Sequence, residues 1–283
     1  MCENKMNKGR KPDILCIGAQ KAGTSWLHVT LASREDVWVP PFKELHFFDH
    51  KFIAECRRWA PWHVKQGLKS ARDRHLKQTL PPDESYLEYL DRLQTAPILN
   101  GTWYKYIFSR ASENQKCLDV TPEYSCIPDE GVDFFKRFLP HSKLIYIIRN
   151  PLDRLKSQLG MNAHRRKELP SSLEDWNELL EMPALQTRGD YLNHIPRWSR
   201  RFTAEQLLFL PFGRIKSDPH GTLRTIEQHC DLPPADYPHA EEKVHRTEPI
   251  NIPEMAIARL NELAAPQNQF IRDHFGESFY KDT

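Results

Sequence analysis

The apolar run Ile-Leu-Cys-Ile-Gly-Ala at 14–19 breaks into Gln-Lys-Ala-Gly, then into Thr24 and Ser25 at the head of a helical pattern. A buried strand that turns through glycines into a helix aims backbone N–H groups at one point, where the helix dipole adds positive partial charge. Such a loop binds an anion. Glycines alone are weak evidence, since many strand-to-helix turns contain them; Lys21 and the hydroxyl pair sharpen the signal. In the nucleoside-triphosphate loop, G-x-x-x-x-G-K-[ST], lysine follows the last glycine and the next hydroxyl serves magnesium. Here Lys21 lies inside the loop and Gly23 passes directly to Thr24.

Three further apolar runs, 116–121, 143–149 and 206–212, read as buried strands. Helical periodicity covers 24–33, 85–94, 131–139, 152–167, 173–181, 191–202, 222–230 and 254–274. Strands alternating with helices predict an α/β fold, a doubly wound parallel sheet flanked by helices, with ligands beyond the carboxyl ends of the strands. Nothing in the 283 residues marks a linker, so the expectation is a flexible N-terminus over 1–12 and one domain over 13–283. The segment 51–114 breaks the rhythm with basic and aromatic residues; it reads as a helical insertion, either solvated or a lid over an acceptor.

Forty basic against 38 acidic residues leave a net charge of +2, which argues against nucleic-acid binding but permits a local basic pocket. No run approaches a membrane span, and the first twelve residues lack a signal-peptide centre, so a cytoplasmic protein is expected. The six cysteines have no C-x-x-C spacing, which argues against a structural zinc site, and Cys16 and Cys117 fall in strand-like runs as packing residues.

Chemistry narrows the anion. Phosphoryl transfer from a triphosphate uses magnesium and a lysine on the β and γ phosphates. A sulfuryl group carries less charge and has one phosphate beside it, so backbone amides, hydroxyls and Lys21 could serve without metal. A second anion site is offered by Arg149 at a strand end, Asn150 as a cap, Pro151 at the first helical position and Ser157 on the following helix. Glu44 and His46 lie two apart, and in an extended stretch a carboxylate and an imidazole would face one pocket where an acceptor proton could be taken; standing alone, the stretch reads instead as a solvated glutamate and a core histidine.

These motifs resemble those of sulfotransferases that use 3′-phosphoadenosine 5′-phosphosulfate (PAPS), closest to the heparan-sulfate-type and bacterial branch. "IGAQKAGTSWL" is similar to the 5′-phosphosulfate loop, which implies cofactor contacts from Lys21, Ala22, Gly23, Thr24, Ser25 and Trp26. Arg149 and Ser157 match the 3′-phosphate motif. "KELHFFD" resembles the segment supplying the base, which implies Glu44 as base, His46 as its auxiliary and Lys43 assisting. "GDYLNHIPRW" is similar to an element flanking the nucleotide, which brings in Tyr191, with the core as its other reading; Arg246 and Thr247 stand where the family closes a loop over the cofactor, here without its glycine. "DVTPEYS" resembles an element written E-K-T-P-x-Y, with Val120 in place of lysine.

The resemblance implies metal-independent transfer to a hydroxyl, less readily an amine, leaving adenosine 3′,5′-bisphosphate. The acceptor is a small molecule, lipid or glycan; the missing lysine weighs against a strongly anionic polysaccharide. Oligomeric state is not legible. Two rivals stay open at this point: a P-loop kinase using ATP and magnesium, with Asp119 as the metal-holding carboxylate, and a non-catalytic bisphosphate-binding protein.

Overall fold

The computed structural model describes residues 9–166, 168–242, 244 and 250–283. Strands β1 (Ile14–Gly18), β2 (Val37–Trp38), β3 (Lys116–Val120), β4 (Lys143–Ile148) and β5 (Leu207–Pro211) form one sheet in the order β2-β3-β1-β4-β5. Pairing of β1 with β3 is parallel, with Ile14 opposite Leu118 and Cys16 opposite Val120; β2 also pairs with β3 in parallel. Every residue of β1 and all of β4 except Lys143 are buried. Burial on both faces is why these strands read as continuous apolar runs rather than alternating ones. The expected α/β sheet flanked by helices is the architecture found, and helix α1 (Thr24–Ala32) follows β1.

The chain up to Ile17 and Leu31–Leu144 make one compact unit; Gly18–Thr30 and Ile145–Thr283 make another. In the first unit stand α2 (Phe47–Phe52), α3 (Ala54–Gln78), α4 (Glu84–Thr95), α5 (Gly101–Ile107) and α6 (Asp129–Phe138). Its core is aromatic: Phe48 meets Phe135 at 4.3 Å and Phe47 stacks on Tyr104 at 4.4 Å. Such ring pairs contribute stability beyond the apolar area they bury. The segment 51–114 carries α3, α4 and α5. Helix α3 buries a stripe, Cys56, Ala60, Val64, Leu68 and Ala71, at the spacing of one helix face. Asp83 caps α4 by accepting from the Ser85 and Tyr86 amides, and Asn100 caps α5 through the Trp103 amide.

The second unit carries α7 (Pro151–His164), α8 (Leu173–Leu180), α9 (Pro183–Thr187), α10 (Tyr191–Ser199), α11 (Phe212–Ser217), α12 (Pro219–His229), α13 (Glu254–Phe275) and α14 (Glu277–Lys281). Leu155 and Leu159 of α7 pack with Trp176 and Leu179 of α8 and Ala256 and Leu260 of α13. Asn150 Oδ1 caps α7, accepting from Leu152 and Asp153, and Pro151 opens the helix where its missing N–H costs nothing. Cys16 and Cys117 are fully buried, and burial pushes the Cys117 thiol up to about 12, so it stays protonated and inert. No helix among the described residues is long and apolar enough to cross a membrane.

Candidate active site

The anion loop lies wholly in the second unit. Ala19 N donates to Ile147 O at 2.9 Å, which fixes the loop's entry on β4, and Ala22 N donates back to Ala19 O. Lys21 then takes a left-handed backbone, φ 67°, and Gly23 follows at φ 88°. For a non-glycine residue such a backbone costs about 1–2 kcal/mol, so the surrounding contacts must hold Lys21 there. Gly23 has a second constraint: a Cβ on it would sit 2.8 Å from Phe212 Cε2. Alanine at this position meets both penalties. Gly23→Ala is expected to lower the thermal midpoint by several degrees, on the scale of 1–2 kcal/mol, and to weaken bisphosphate binding. Differential scanning fluorimetry with and without the bisphosphate checks both.

Arg149, the residue after β4, donates from Nη1 to Lys21 O at 2.8 Å. Its guanidinium lies 4.8 Å from the Phe212 ring centre, so one aromatic side chain both presses on Gly23 and supports Arg149. Tyr191 is buried in the core, and its hydroxyl brackets the Arg149 peptide, accepting from the N–H at 3.2 Å and donating to the carbonyl at 3.1 Å. The core reading of Tyr191 therefore holds, with a positioning role added. Arg149 Nε is buried without a hydrogen-bond partner. An unspent charged donor beside a loop whose Gly23 excludes a Cβ fits an anionic ligand.

The other cofactor candidates are distributed as follows. Thr24 is buried at the head of α1, whose first turn carries no acidic residue. Ala22 is fully buried, Ser25 is half-buried, and Trp26 donates from Nε1 to Ala240 O at 2.7 Å. Ser157 is half-buried in the second turn of α7 and makes no hydrogen bond to Arg149. Arg246 and Thr247 lie outside the described residues.

The acid–base candidates lie wholly in the first unit. Lys43 Nζ is 3.3 Å from Glu44 Oε1, His46 Nε2 is 3.6 Å from Glu44 Oε2, and His46 Nδ1 is 2.7 Å from Asp49 Oδ2. Glu44 is 28% exposed while His46 and Asp49 are at 1% and 0%, so of these three only the glutamate reaches solvent. Burial alone would raise the Glu44 carboxyl; the His46 ring 3.6 Å away and the charges of Lys43, His46 and His63 outweigh it and hold the group well below the usual carboxylate range. Burial likewise pulls His46 down, but Asp49 and then Glu44 raise it from 6.5 to about 10. At neutral pH this is a carboxylate held against an imidazolium, which in turn is held by a second carboxylate. His46 thus orients Glu44 rather than competing for its proton. Trp59 and His63 of α3 pack edge-on against the His46 ring at 4.4 and 4.9 Å, and His63 Nε2 reaches Lys43 O. Burial lowers His63, and the charge of His46 lowers it further, which favours the neutral ring as donor to that carbonyl.

The raised value of His46 has a consequence for stability. Its contribution is fully present below the unfolded value of 6.5 and is lost as pH rises through about 10. The thermal midpoint is expected to fall across that window, and His46→Asn should flatten the fall; an unchanged slope contradicts the His46–Asp49 pairing.

Asp49 and Phe212 were not singled out in the sequence. For Asp49 a signal existed, His-x-x-Asp across the start of a helix. For Phe212 there was none, since its role comes from a tertiary approach.

A sequence model of the sulfotransferase family matches residues 12–236. The chain belongs to the sulfotransferase family. Over 137 residues it is 30% identical to heparan sulfate glucosamine 3-O-sulfotransferase 3A1 of Mus musculus, covering 46% of this chain and 34% of that protein. The chain spans about a third of the length of the curated relatives it first matches. Among solved structures, the sulfotransferase of Alicyclobacillus acidocaldarius superposes with a TM-score of 0.61 at 18% identity, covering 93% of this chain and 95% of that one. The sulfotransferase domain of the Synechococcus PCC 7002 olefin synthase gives 0.57 at 18% identity, covering 92% and 95%. At these identities the likeness is one of fold.

Proposed function

We propose that the chain is a PAPS-dependent sulfotransferase transferring a sulfuryl group to a hydroxyl of a small-molecule, lipid or glycan acceptor. The observation that carries this reading is the loop itself: Lys21 inside it, its carbonyl bonded to Arg149, and an unspent Arg149 Nε beside a glycine that admits no side chain. PAPS, when bound, supplies the activated sulfuryl group. Lys21 would neutralise charge developing where that group leaves, the helix start at Thr24 and Ser25 would hold the 5′ end, and Arg149 with Ser157 would hold the 3′-phosphate. Glu44 would take the acceptor proton. A strongly ionised carboxylate suffices, because the acceptor O–H becomes far more acidic as its oxygen bonds to sulfur.

The kinase reading needs a free carboxylate for magnesium, and the candidate, Asp119, is fully buried and accepts from three hydroxyls. Calorimetry with adenosine 3′,5′-bisphosphate and with ATP plus magnesium tests the assignment: the bisphosphate should bind without metal and ATP should not displace it, whereas preference for ATP would favour the kinase. For the setting we read the cytoplasm, supported by free cysteines at 16, 56, 117, 126 and 230. The helices over 54–107 serve in this reading as the wall of the acceptor site, supported by the contact of Trp59 and His63 with His46.

A further inference from the structure

Asp119, at the end of β3, is fully buried, and the proposed reaction does not use it. Its Oδ1 accepts from Thr121 Oγ1 at 2.7 Å, and its Oδ2 accepts from the hydroxyls of Tyr104 at 2.8 Å and Tyr124 at 2.9 Å. A hydroxyl has one proton, so a hydroxyl that donates to a carboxylate has only lone pairs left to offer. Two of these three oxygens then accept from the backbone: Thr121 Oγ1 from Leu45 N at 2.9 Å, and Tyr124 OH from Phe47 N at 3.2 Å. Leu45 and Phe47 are the residues on either side of His46, and both Glu44 and His46 have left-handed backbones, φ 67° and 53°. Neither is glycine, so this conformation persists only where neighbouring bonds impose it.

We propose that Asp119 is a positioning residue for the base segment: its carboxylate fixes the direction of the Thr121 and Tyr124 hydroxyl protons, so that their oxygens hold the Leu45 and Phe47 amides and with them the orientation of Glu44 and His46. The proposal rests on the reading of Glu44 as base and His46 as its anchor. Burial raises the Asp119 carboxyl to about 6, against the pull of the Thr121, Tyr104 and Tyr124 hydroxyls and the charge of His46, so the group is ionised at pH 8 and can act only as an acceptor. An amide in its place would present a donor to hydroxyls that are themselves donors, and one of them would have to turn its proton toward a backbone N–H.

The two tyrosines provide the test. Both donate to the same oxygen at nearly equal distance and both are fully buried, but among the described residues no backbone N–H donates to Tyr104. In Tyr104→Phe the ring stacked on Phe47 remains. Histidine imidazole resonances are recorded at pH 8, with His46 assigned from His46→Gln, and PAPS turnover is measured with the acceptor found by screening. Tyr124→Phe is expected to shift the His46 resonances and to lower kcat by about tenfold or more while KM for PAPS stays within about twofold. Thr121→Val should act in the same direction, and so should Asp119→Asn, which removes the carboxylate that sets both hydroxyls; His46 resonances unmoved in Asp119→Asn also overturn the proposal. Tyr104→Phe should leave the His46 resonances in place and kcat within about twofold. Equal shifts of His46 in the two phenylalanine variants, or none in either, overturn the proposal. Failure of the wild type to turn over PAPS counts against the sulfotransferase reading, and the His46 spectra decide the positioning role independently of it.

Discussion

Glu44→Gln should reduce sulfuryl transfer by about a thousandfold in kcat, within the 10²–10⁴ range of a positioned general base. The substitution preserves shape and removes only the charge that faces His46 Nε2 and Lys43 Nζ. The backbone bonds at Leu45 and Phe47 come from main-chain amides and survive it. Binding of adenosine 3′,5′-bisphosphate should be unchanged, because the groups proposed to hold the nucleotide are the loop, Arg149 and the start of α1. Above pH 4.5 the charged form of Glu44 also favours the folded state, since its carboxyl is held below that ordinary value; the variant should therefore melt slightly earlier at pH 7 and equally at low pH. Steady-state rates, calorimetry and melting curves separate these effects, and full turnover by the variant would remove Glu44 from the mechanism.

Lys21→Ala should lower kcat by about 10²–10³-fold, the scale seen when one preorganised charge or donor at a developing oxyanion is removed. The side chain and the backbone of this residue do different things, which makes the variant informative. Its carbonyl accepts from Arg149 Nη1, a bond that alanine retains, so the guanidinium should stay in place and bisphosphate affinity should fall only a few-fold. Lys21→Arg restores charge but spreads it over a planar fork, and at a point-charge site it should recover only part of the rate. A lysine acting merely as a binding contact would instead raise KM for PAPS and leave kcat intact.

Much of the sheet was legible because β1, β3 and β4 are buried on both faces and so leave unbroken apolar runs. Strand β2 has two residues, Val37 and Trp38, too few for any period to register. Helix α3 was visible only as a basic insertion: its buried stripe is thin, and most of its surface is Arg, Lys and His. At the site, residue types were readable and backbone geometry was not. The left-handed conformations of Lys21, Glu44 and His46 carry no glycine to announce them. Tyr191 was ambiguous between core and ligand for a physical reason, since its ring is core and its hydroxyl holds the Arg149 peptide. Asp119 looked like a candidate metal ligand from its place at a strand end; only the positions of Thr121, Tyr104 and Tyr124 show where its lone pairs are spent.

The most direct test of the central claim is transfer of radiolabelled sulfuryl from PAPS across a panel of phenols, alcohols, amines and glycans, with adenosine 3′,5′-bisphosphate measured in parallel. The account predicts label on a hydroxyl-bearing acceptor, bisphosphate released in equal amount, and both signals lost in Glu44→Gln. Tight bisphosphate binding with no label moved to any member of the panel would contradict it.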